Sequence, residues 1–329
     1  MRRSSMLLAA LLTVAACGTG EGVATTTSTT QTSTTVPPTT TSTPATTTST
    51  GTSADFPLTI EADNGEVTIG EMPEAIVSLS STGTEMLFAV GAGEQVVAVD
   101  DQSNHPAEAP LTDLSGFTPN VEAILSYEPD LVVIGYDPGE LVASLEAADV
   151  PVINYSAAIT IDDVYRQIEA LGAVTGHAEE AVAVNESIAN DLSKIADEAP
   201  DTDGVTYYHE LDNSLYTATS STFYGQLYGL FGLENIADAA DDDGSAFGYP
   251  QLSSEYVVSA DPDLIFLADA LYGESAETVA ARPGWDVLTA VQSGNVVELD
   301  SDIASRWGPR IVDFAESVSD AIEAYVSQG

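Results

Sequence analysis

The chain has 329 residues and a formal net charge of −45 at pH 7, because 52 Asp and Glu residues face only 7 Lys and Arg. Such a charge repels the phosphates of nucleic acids and anionic lipid headgroups, so we exclude a nucleic-acid-binding protein. Cys17 is the only cysteine, which excludes an intramolecular disulfide bond. The length suits one large domain or two lobes that each bury a core.

The N-terminus has the pattern of a bacterial export signal. Arg2 and Arg3 precede an apolar run over residues 6–16, which is too short to span a bilayer as a mature helix. The run ends in Val-Ala-Ala before Cys17, which is typical of a lipobox, where small residues permit cleavage and the thiol accepts a diacylglycerol. We therefore predict a signal peptide over residues 1–16 and a lipid on Cys17 that anchors the exported protein at the outer face of the cytoplasmic membrane. The alternative is an ordinary signal peptide followed by a chance cysteine.

Residues 17–54 predict a flexible linker that begins at the lipidated cysteine. The segment consists mostly of Thr and Ser with a few Pro, and it lacks the apolar side chains that a folded core requires. We expect it to hold the folded part of the chain away from the membrane surface.

Residues 55–160 alternate short apolar strands with helices and form a predicted N-terminal lobe. The predicted strands cover residues 75–79, 95–99, 131–134 and 151–154, and the predicted helices cover 84–90, 121–127 and 139–148. Continuous apolar strands separated by helices are typical of a parallel sheet that helices cover on both faces.

The pattern changes over residues 161–200, which carry no strand signal and include one long predicted helix over 178–199. The alternation then resumes in residues 201–329, a predicted C-terminal lobe with a final helix over 310–326. Its other elements are expected at 205–208, 215–218, 223–231, 264–267 and 296–299. The predicted fold class is α/β, with two lobes built on central sheets and joined by one long helix.

The two lobes contain a repeated unit. Glu122 precedes Pro129-Asp130-Leu131 by seven residues, and Glu255 precedes Pro262-Asp263-Leu264 by the same distance. Both segments read as a helix, a Pro-Asp step and a buried strand, so we expect one copy of the unit in each lobe.

Four segments in a fixed order connect the chain to a known family. They are Ile76 to Ser80 with Thr84-Glu85-Met86, then Gly116 to Glu122, Pro250 to Glu255, and Asp302 to Arg310. The ordered set resembles the binding proteins for vitamin B12 and ferric siderophores that supply ABC importers, and the resemblance extends over residues 56–329. The family commonly has Pro after the first Ser-Leu-Ser, where this chain has Ser81. The resemblance implies a ligand cleft between the lobes, a monomeric binding protein rather than an enzyme, no cofactor, and a metal-containing ligand carried as cargo.

The resemblance also implies that Glu122 and Glu255 dock the protein on arginines of an ABC permease in the same membrane. Two carboxylates on separate lobes form a two-point contact that sets orientation and on-rate. The alternative is structural, because a Glu in the first turn of a helix is favoured by the helix dipole. Glu85 has the same ambiguity and no partner in the repeat, so we interpret it as structural.

Arg306 is the first candidate for a ligand contact, since it matches a pocket arginine of the vitamin B12 binder. A cation there suits a phosphate, carboxylate or catecholate, and the alternative is a surface salt bridge. Arg310 is expected to support the last helix. The other candidate ligand-binding residues are aromatic or follow a strand of the second lobe, and they are Tyr249, Phe117, Tyr136, His209 and Trp307.

Other functions stay open at this point. The three histidines are far apart with no metal-ligand spacing, and the chain has no Gly-rich phosphate loop and no Gly-x-Ser-x-Gly. A surface-anchored enzyme, a recognition module on the same fold, and a binder of haem or another metal complex are the alternatives. Tyr and Phe where the B12 binder has Trp favour a ferric siderophore slightly over a corrinoid.

Overall fold

The computed structural model describes residues 56–328. The predicted signal peptide and linker, with Cys17, lie outside the described residues. None of the helices in the described part is both long and apolar enough to cross a membrane.

The N-terminal lobe is built on a five-stranded parallel sheet. Its strand order is β5-β4-β3-β6-β7, with β3 in the centre. Four of these strands were predicted, and β5 was missed because only one of its four residues is buried. The strands are β3 (Ile76–Leu79), β4 (Val96–Asp100), β5 (Leu111–Leu114), β6 (Leu131–Ile134) and β7 (Val152–Asn154). The helices are α1 (Ser81–Ala89), α2 (Val121–Leu125) and α3 (Leu141–Glu146).

An antiparallel hairpin of β1 (Leu58–Ala62) and β2 (Gly65–Ile69) precedes the sheet and was not predicted. The Asn64 side chain donates to the Val152 carbonyl at 2.9 Å and accepts from the Asn154 amide at 3.0 Å. The turn of the hairpin therefore covers the edge strand β7, whose unpaired backbone groups would otherwise be open to pairing with another chain.

Two helices, α4 (Ile161–Thr175) and α5 (Ala178–Glu198), connect the lobes, and α5 corresponds to the predicted long helix. Thr160 begins α4 with a capping box that Asp163 completes. Gly176 ends α4 at φ 81°, a left-handed conformation that glycine adopts without steric cost. A Cβ on Gly172 would lie 2.4 Å from that of Ala181, so the absence of a side chain lets α4 and α5 pack closely.

The C-terminal lobe is built on a four-stranded parallel sheet of order β11-β10-β8-β9. The expected element at 215–218 makes only isolated bridges, from Thr217 to Glu210 and from Tyr216 to Gln251, because Leu215 at φ 69° interrupts the extended backbone. The strands are β8 (Thr206–Glu210), β9 (Glu234–Asn235), β10 (Leu264–Leu267) and β11 (Val296–Glu298). The helices are α6 (Phe223–Gly229), α7 (Ser254–Ala260), α8 (Ala276–Ala280), α9 (Thr289–Ser293), α10 (Ser301–Ala304) and α11 (Ile311–Val326).

The apolar core lies in three layers. One cluster fills the outer face of the N-terminal sheet under α2 and α3, and another fills the outer face of the C-terminal sheet under α7, α8 and α9. The largest cluster runs continuously from Val133 of β6 through Ile168 of α4 and Ile188 of α5 to Phe266 of β10 and Phe314 of α11. The predicted two-lobed α/β fold is confirmed, and the lobes share one buried core.

Candidate ligand-binding cleft

A cleft of about 670 Å³ lies between the carboxyl ends of the strands of both sheets. The segments that follow all five N-terminal strands contribute to its wall, and so do the segments that follow β8, β10 and β11. Open α/β sheets bind their ligands at this edge, because the strands stop there and the loops supply the contacts. The volume is within the range of small-molecule sites.

Exposed aromatic and apolar side chains from both lobes line the cleft. Phe117 after β5 is 71% exposed and Tyr136 after β6 is 58% exposed, and both were predicted. Leu271 and Tyr272, which follow β10, are 72% and 84% exposed and were missed. They are the fourth and fifth residues after β10, whereas Tyr136 is the second residue after β6, so their spacing from the strand gave no signal that the sequence analysis could have used. Large flat surfaces on two opposed lobes suit a bulky, partly apolar ligand.

Two further aromatic residues form the inner part of the cleft. Trp307, a predicted contact, lines the cleft and donates from Nε1 to Gln167 Oε1 at 3.1 Å, which ties the C-terminal lobe to α4. Tyr224 of α6 also lines the cleft and was missed by the sequence analysis. Burial raises the pKa of Tyr224 to about 12, and nearby Tyr249 adds to this shift. Tyr249 is 40% exposed and lies beside the cleft rather than in its lining.

Arg306 lies in the lining, but carboxylates already hold its guanidinium. Its Nη1 donates to Glu85 Oε1 at 2.7 Å, and its Nη2 donates to Asp302 Oδ1 at 2.9 Å and to the Gln102 carbonyl at 3.0 Å. Only 6% of the Arg306 side chain is exposed. The interpretation of Glu85 as structural agrees with this geometry, since Glu85 is buried in α1 and accepts from both Arg306 and Arg310.

These ion pairs join the two lobes. Glu85 belongs to the N-terminal lobe, whereas Arg306 and Arg310 precede α11 in the C-terminal lobe. Arg310 donates from Nε to Glu85 Oε2 at 3.0 Å and from Nη2 to Oε1 at 2.6 Å. Asn104 donates to Asp302 Oδ2 at 2.7 Å across the same boundary. We call Glu85, Arg306, Arg310 and Asp302 the inter-lobe ion cluster.

The cleft is not positively charged. Within residues 56–328, Arg306 is the one cation in the lining, and it is compensated by Glu85 and Asp302. Asp100 also lines the cleft, and burial raises the pKa of its carboxyl group above the ordinary value. An anionic ligand would meet no unpaired cation among the described lining residues.

His209 does not occupy the position expected of a ligand contact. It lies inside the buried strand β8 rather than after it, and it is 0% exposed. The ring stacks under Tyr224 with a centroid distance of 4.8 Å, and its Nδ1 is 2.8 Å from the Tyr228 hydroxyl. Burial lowers the pKa of His209 to about 3, so the ring is neutral. His209 therefore supports Tyr224 from below, and the expectation of a direct ligand contact is corrected.

Glu122 and Glu255 occupy equivalent positions in the two lobes, and both are exposed. Each is the second residue of its helix, after the N-caps Asn120 and Ser253, which accept from the amides of the third helical residues. The helices lead to Asp130 and Asp263. The carboxylate of Asp130 accepts from the amides of Glu74 and Ala75, and that of Asp263 accepts from the amide and hydroxyl of Thr206. In both lobes the Asp thus fastens the start of the neighbouring parallel strand, which explains the repeated Pro-Asp.

Residues 56–328 contain no group of three or more His, Cys, Asp or Glu side chains arranged to hold a metal ion.

Comparison with known proteins agrees with this architecture. A family model described as periplasmic binding protein matches residues 76–303, which is more than half of the chain. An uncharacterised ABC transporter substrate-binding lipoprotein of Bacillus subtilis, YvrC, is 30% identical over 278 residues, covering 81% of this chain and 86% of the relative. A cobalamin-binding protein of Halobacterium salinarum is 33% identical over 273 residues, covering 79% of this chain and 73% of the relative.

Solved structures give the same result. The periplasmic vitamin B12-binding protein BtuF of Vibrio cholerae superposes with a TM-score of 0.60 at 27% identity, covering 78% of this chain and 98% of that structure. A possible iron-binding periplasmic protein of Staphylococcus epidermidis has a TM-score of 0.67 at 24% identity, covering 77% and 99%, and supports the fold alone. The relatives are substrate-binding proteins of transporters and not enzymes, which confirms the prediction of a binding protein. The chain belongs to the periplasmic binding protein family and is a substrate-binding protein of an ABC importer.

Proposed function

We propose that the protein captures a cobalamin-type corrinoid in the cleft between its lobes and delivers it to an ABC permease. The observation that carries this proposal is the pairing of exposed aromatic walls with a cleft in which Arg306 is already neutralised. The cobalamin-binding relative of Halobacterium salinarum and the vitamin B12-binding structure of Vibrio cholerae support the same ligand class.

The shape of the cleft favours a broad and rigid ligand. The cleft walls carry the rings of Phe117 and Tyr136 from one lobe and of Tyr272 from the other. Each of these side chains has only two χ angles, so it loses little conformational entropy when a ligand covers it. A corrin macrocycle offers a matching apolar face, and its amide side chains suit the serine hydroxyls in the lining, such as those of Ser81, Ser301 and Ser305.

The absence of an unpaired cation among the described lining residues favours ligands with little net charge over anionic ones. A ferric tris-catecholate and haem with two propionates carry net negative charge and normally bind beside unpaired cations. In cobalamin, the positive charge of the cobalt centre balances the phosphodiester, so little net charge has to be compensated. A neutral or cationic ferric hydroxamate meets the same condition, and the Tyr and Phe walls make it the second candidate.

A fluorescence titration of the purified protein tests the ligand class. We expect saturable binding of cobalamin, weaker or no binding of haem and of a ferric catecholate, and a ferric hydroxamate as the comparison ligand. Phe117→Ala combined with Tyr136→Ala should weaken binding about tenfold or more, which corresponds to about 1.4 kcal/mol. Tyr127→Ala is the matched control, because Tyr127 is exposed but lies outside the cleft lining. Tighter binding of the anionic complexes than of cobalamin contradicts the proposal.

We further propose that the lobes move little when the ligand binds, and that Glu122 and Glu255 then dock the loaded protein on the permease. The shared core and the buried inter-lobe ion cluster oppose a large opening between the lobes. The exposure of both glutamates at equivalent helix starts supports a symmetric pair of contacts.

The proposed anchor at Cys17 completes the transport cycle. A lipid on Cys17 would keep the protein at the membrane that holds the permease, and the Thr-rich linker over residues 17–54 would give it reach, so the effective concentration of the two partners rises. The name of the lipoprotein relative from Bacillus subtilis supports this proposal. Cys17→Ser should release the protein from the membrane fraction into the medium or periplasm, and retention of the variant in that fraction contradicts the anchor.

A further inference from the structure

We propose that Phe247, on the loop between β9 and α7, is an additional ligand-contacting residue that covers the open side of the cleft. This inference rests on the proposed capture of a corrinoid between the lobes. The first observation is exposure, since Phe247 is 89% exposed and is the most exposed large apolar side chain of the described residues. A side chain with this exposure contributes almost nothing to the core of the lobe.

The backbone at Phe247 is held in an unfavourable conformation. Its φ is 53°, in the left-handed region that non-glycine residues with bulky side chains rarely adopt, and Gly248 follows at φ 86°. Asn, Asp or Gly would accept this geometry at lower cost. A phenylalanine that is both exposed and held in a left-handed conformation has no explanation in the stability of the fold.

The loop is rigid rather than loose. The carboxylate of Asp241 accepts from the amides of Ala246 and Gly248, both at 2.7 Å, and so fixes the backbone on either side of Phe247. The Thr219 amide donates to the Gly248 carbonyl at 2.9 Å. A Cβ on Gly248 would lie 2.6 Å from Thr222 Cγ2, so the loop sits directly on the start of α6. The Phe247 side chain is therefore presented from a fixed platform.

The platform lies at the edge of the cleft. The loop leaves the carboxyl end of β9, and the segments after the other three strands of this parallel sheet all line the cleft. It rests on α6, whose Tyr224 forms part of the cleft floor, and Tyr249 of the same loop is close enough to raise the pKa of Tyr224. Phe247 is two residues from Tyr249 and outside the lining itself, and from this position its ring would contact the outer edge of a ligand that Phe117, Tyr136 and Tyr272 hold from the sides.

The test is a titration of the full-length protein with cobalamin. We expect Phe247→Ala to bind about tenfold more weakly, a loss of about 1.4 kcal/mol, whereas Phe247→Tyr keeps most of the affinity. Phe247→Asn should also bind more weakly, yet unfold at the same or a higher temperature, because Asn tolerates the left-handed backbone. Val182→Ala, at an exposed apolar position on α5, should leave both quantities unchanged.

The outcomes separate this inference from the proposed function. Unchanged cobalamin affinity in Phe247→Ala overturns the contact while leaving the proposed function in place, and a loss of permease stimulation in the same variant would assign Phe247 to docking instead. Failure of the unchanged protein to bind cobalamin overturns the proposed function and the contact together. If Phe247→Asn both binds cobalamin more weakly and unfolds at a lower temperature, the proposed contact is also overturned, since the loss of affinity would then come from a destabilised fold.

Discussion

The two lobes share one construction but differ in how they place buried charge. In each, a short helix with a glutamate at its second position leads through Pro-Asp to a buried strand, and the Asp fastens the neighbouring strand. In the N-terminal lobe, the buried carboxylate of Glu85 is balanced by two arginines of the opposite lobe, whereas the buried Asp100 accepts from the Ser103 hydroxyl. In the C-terminal lobe, Glu210, Glu274 and Asp269 surround the single cation Arg282.

The difference shows that the repeated unit determines how each lobe is built, whereas the charges that are not repeated determine how the two lobes contact each other. Glu85 stabilises the contact between lobes, because its partners are on the other side of the cleft. The carboxylates around Arg282 stay within one lobe, where Asp269 and Glu274 flank Leu271 and Tyr272 in the chain, and they carry an excess of negative charge. The following predictions test this comparison, from the largest expected effect to the smallest.

The strongest test of equivalence between the lobes is charge reversal at both helix starts. Glu122→Lys combined with Glu255→Lys should abolish ligand uptake in a reconstituted transporter without changing ligand affinity, because both contacts with the permease become repulsive. Reversal of Glu146 and Glu316, exposed on α3 and α11, is the matched control and should leave uptake intact. Full uptake by the first double variant contradicts the docking role.

Removal of one carboxylate should destabilise the fold more in the inter-lobe ion cluster than in the cluster around Arg282. Glu85→Gln leaves Arg310 without this carboxylate partner and leaves the buried Arg306 with Asp302 alone, and removal of one partner of a buried pair costs about 3–5 kcal/mol. Glu210→Gln should cost less, since Arg282 keeps Glu274 at 2.7 Å and Asp269 loses a repulsive neighbour. Chemical denaturation of both variants measures the difference. Equal losses would show that the two clusters are energetically alike.

The repeated Asp should contribute similarly in both lobes. Asp130→Ala removes two acceptors from the start of β3, and Asp263→Ala removes those that hold Thr206 at the start of β8. We expect each variant to lose about 2 kcal/mol of the free energy of unfolding, in line with hydrogen bonds to a charged group. If only one of the two variants loses free energy of unfolding in the same denaturation series, the two units are not equivalent.

The excess negative charge of the C-terminal lobe predicts a pH effect at Asp269. Burial, and then the nearby Glu210, raise the pKa of Asp269 from its ordinary value of 3.8 to about 6, although Arg282 opposes the shift. A raised pKa stabilises the fold below pH 3.8, and this contribution is lost as the pH rises through 6. Asp269→Asn should therefore be more stable than the unchanged protein at pH 7, by on the order of 1 kcal/mol, and the gain should disappear below pH 4.

Asp100→Asn is the control for this effect in the N-terminal lobe. Asp100 is equally buried at the end of β4, and burial also raises its pKa, but it accepts from the Ser103 hydroxyl at 2.6 Å. One oxygen of Asp269 lacks any such partner among the described residues. The Asn variant at position 100 should therefore gain less at pH 7. A larger gain at position 100 than at position 269 would contradict the assignment of the charge excess to the C-terminal lobe.

Much of the fold followed from local patterns. The apolar strand at 131–134 and the helix at 178–198 were placed almost to the residue, since a buried parallel strand is a short continuous apolar run and a long amphipathic helix has a strong periodic pattern. The hairpin over 58–69 was missed because its strands alternate with exposed residues and its role, covering the edge of β7, depends on a contact with residues far along the chain.

Less of the candidate site than of the fold could be predicted from the sequence. Phe117, Tyr136, Arg306 and Trp307 were placed in the cleft lining by resemblance, and the structure brings them together. His209 was misplaced because β8 ends two residues later than expected, and Leu271 and Tyr272 were missed because nothing local distinguishes a cleft residue from any exposed one.

The sequence by itself determined the α/β lobes, the helical connection and the repeat that carries Glu122 and Glu255, because these depend on periodicity and on spacing along the chain. Only the tertiary structure decided the charge of the cleft. Arg306 reads as a free cation in the sequence, but its partner Glu85 is more than two hundred residues away, and ion pairing depends on distance in space rather than in sequence. For the same reason the shared core and the exposure of Phe247 emerged only from the folded chain.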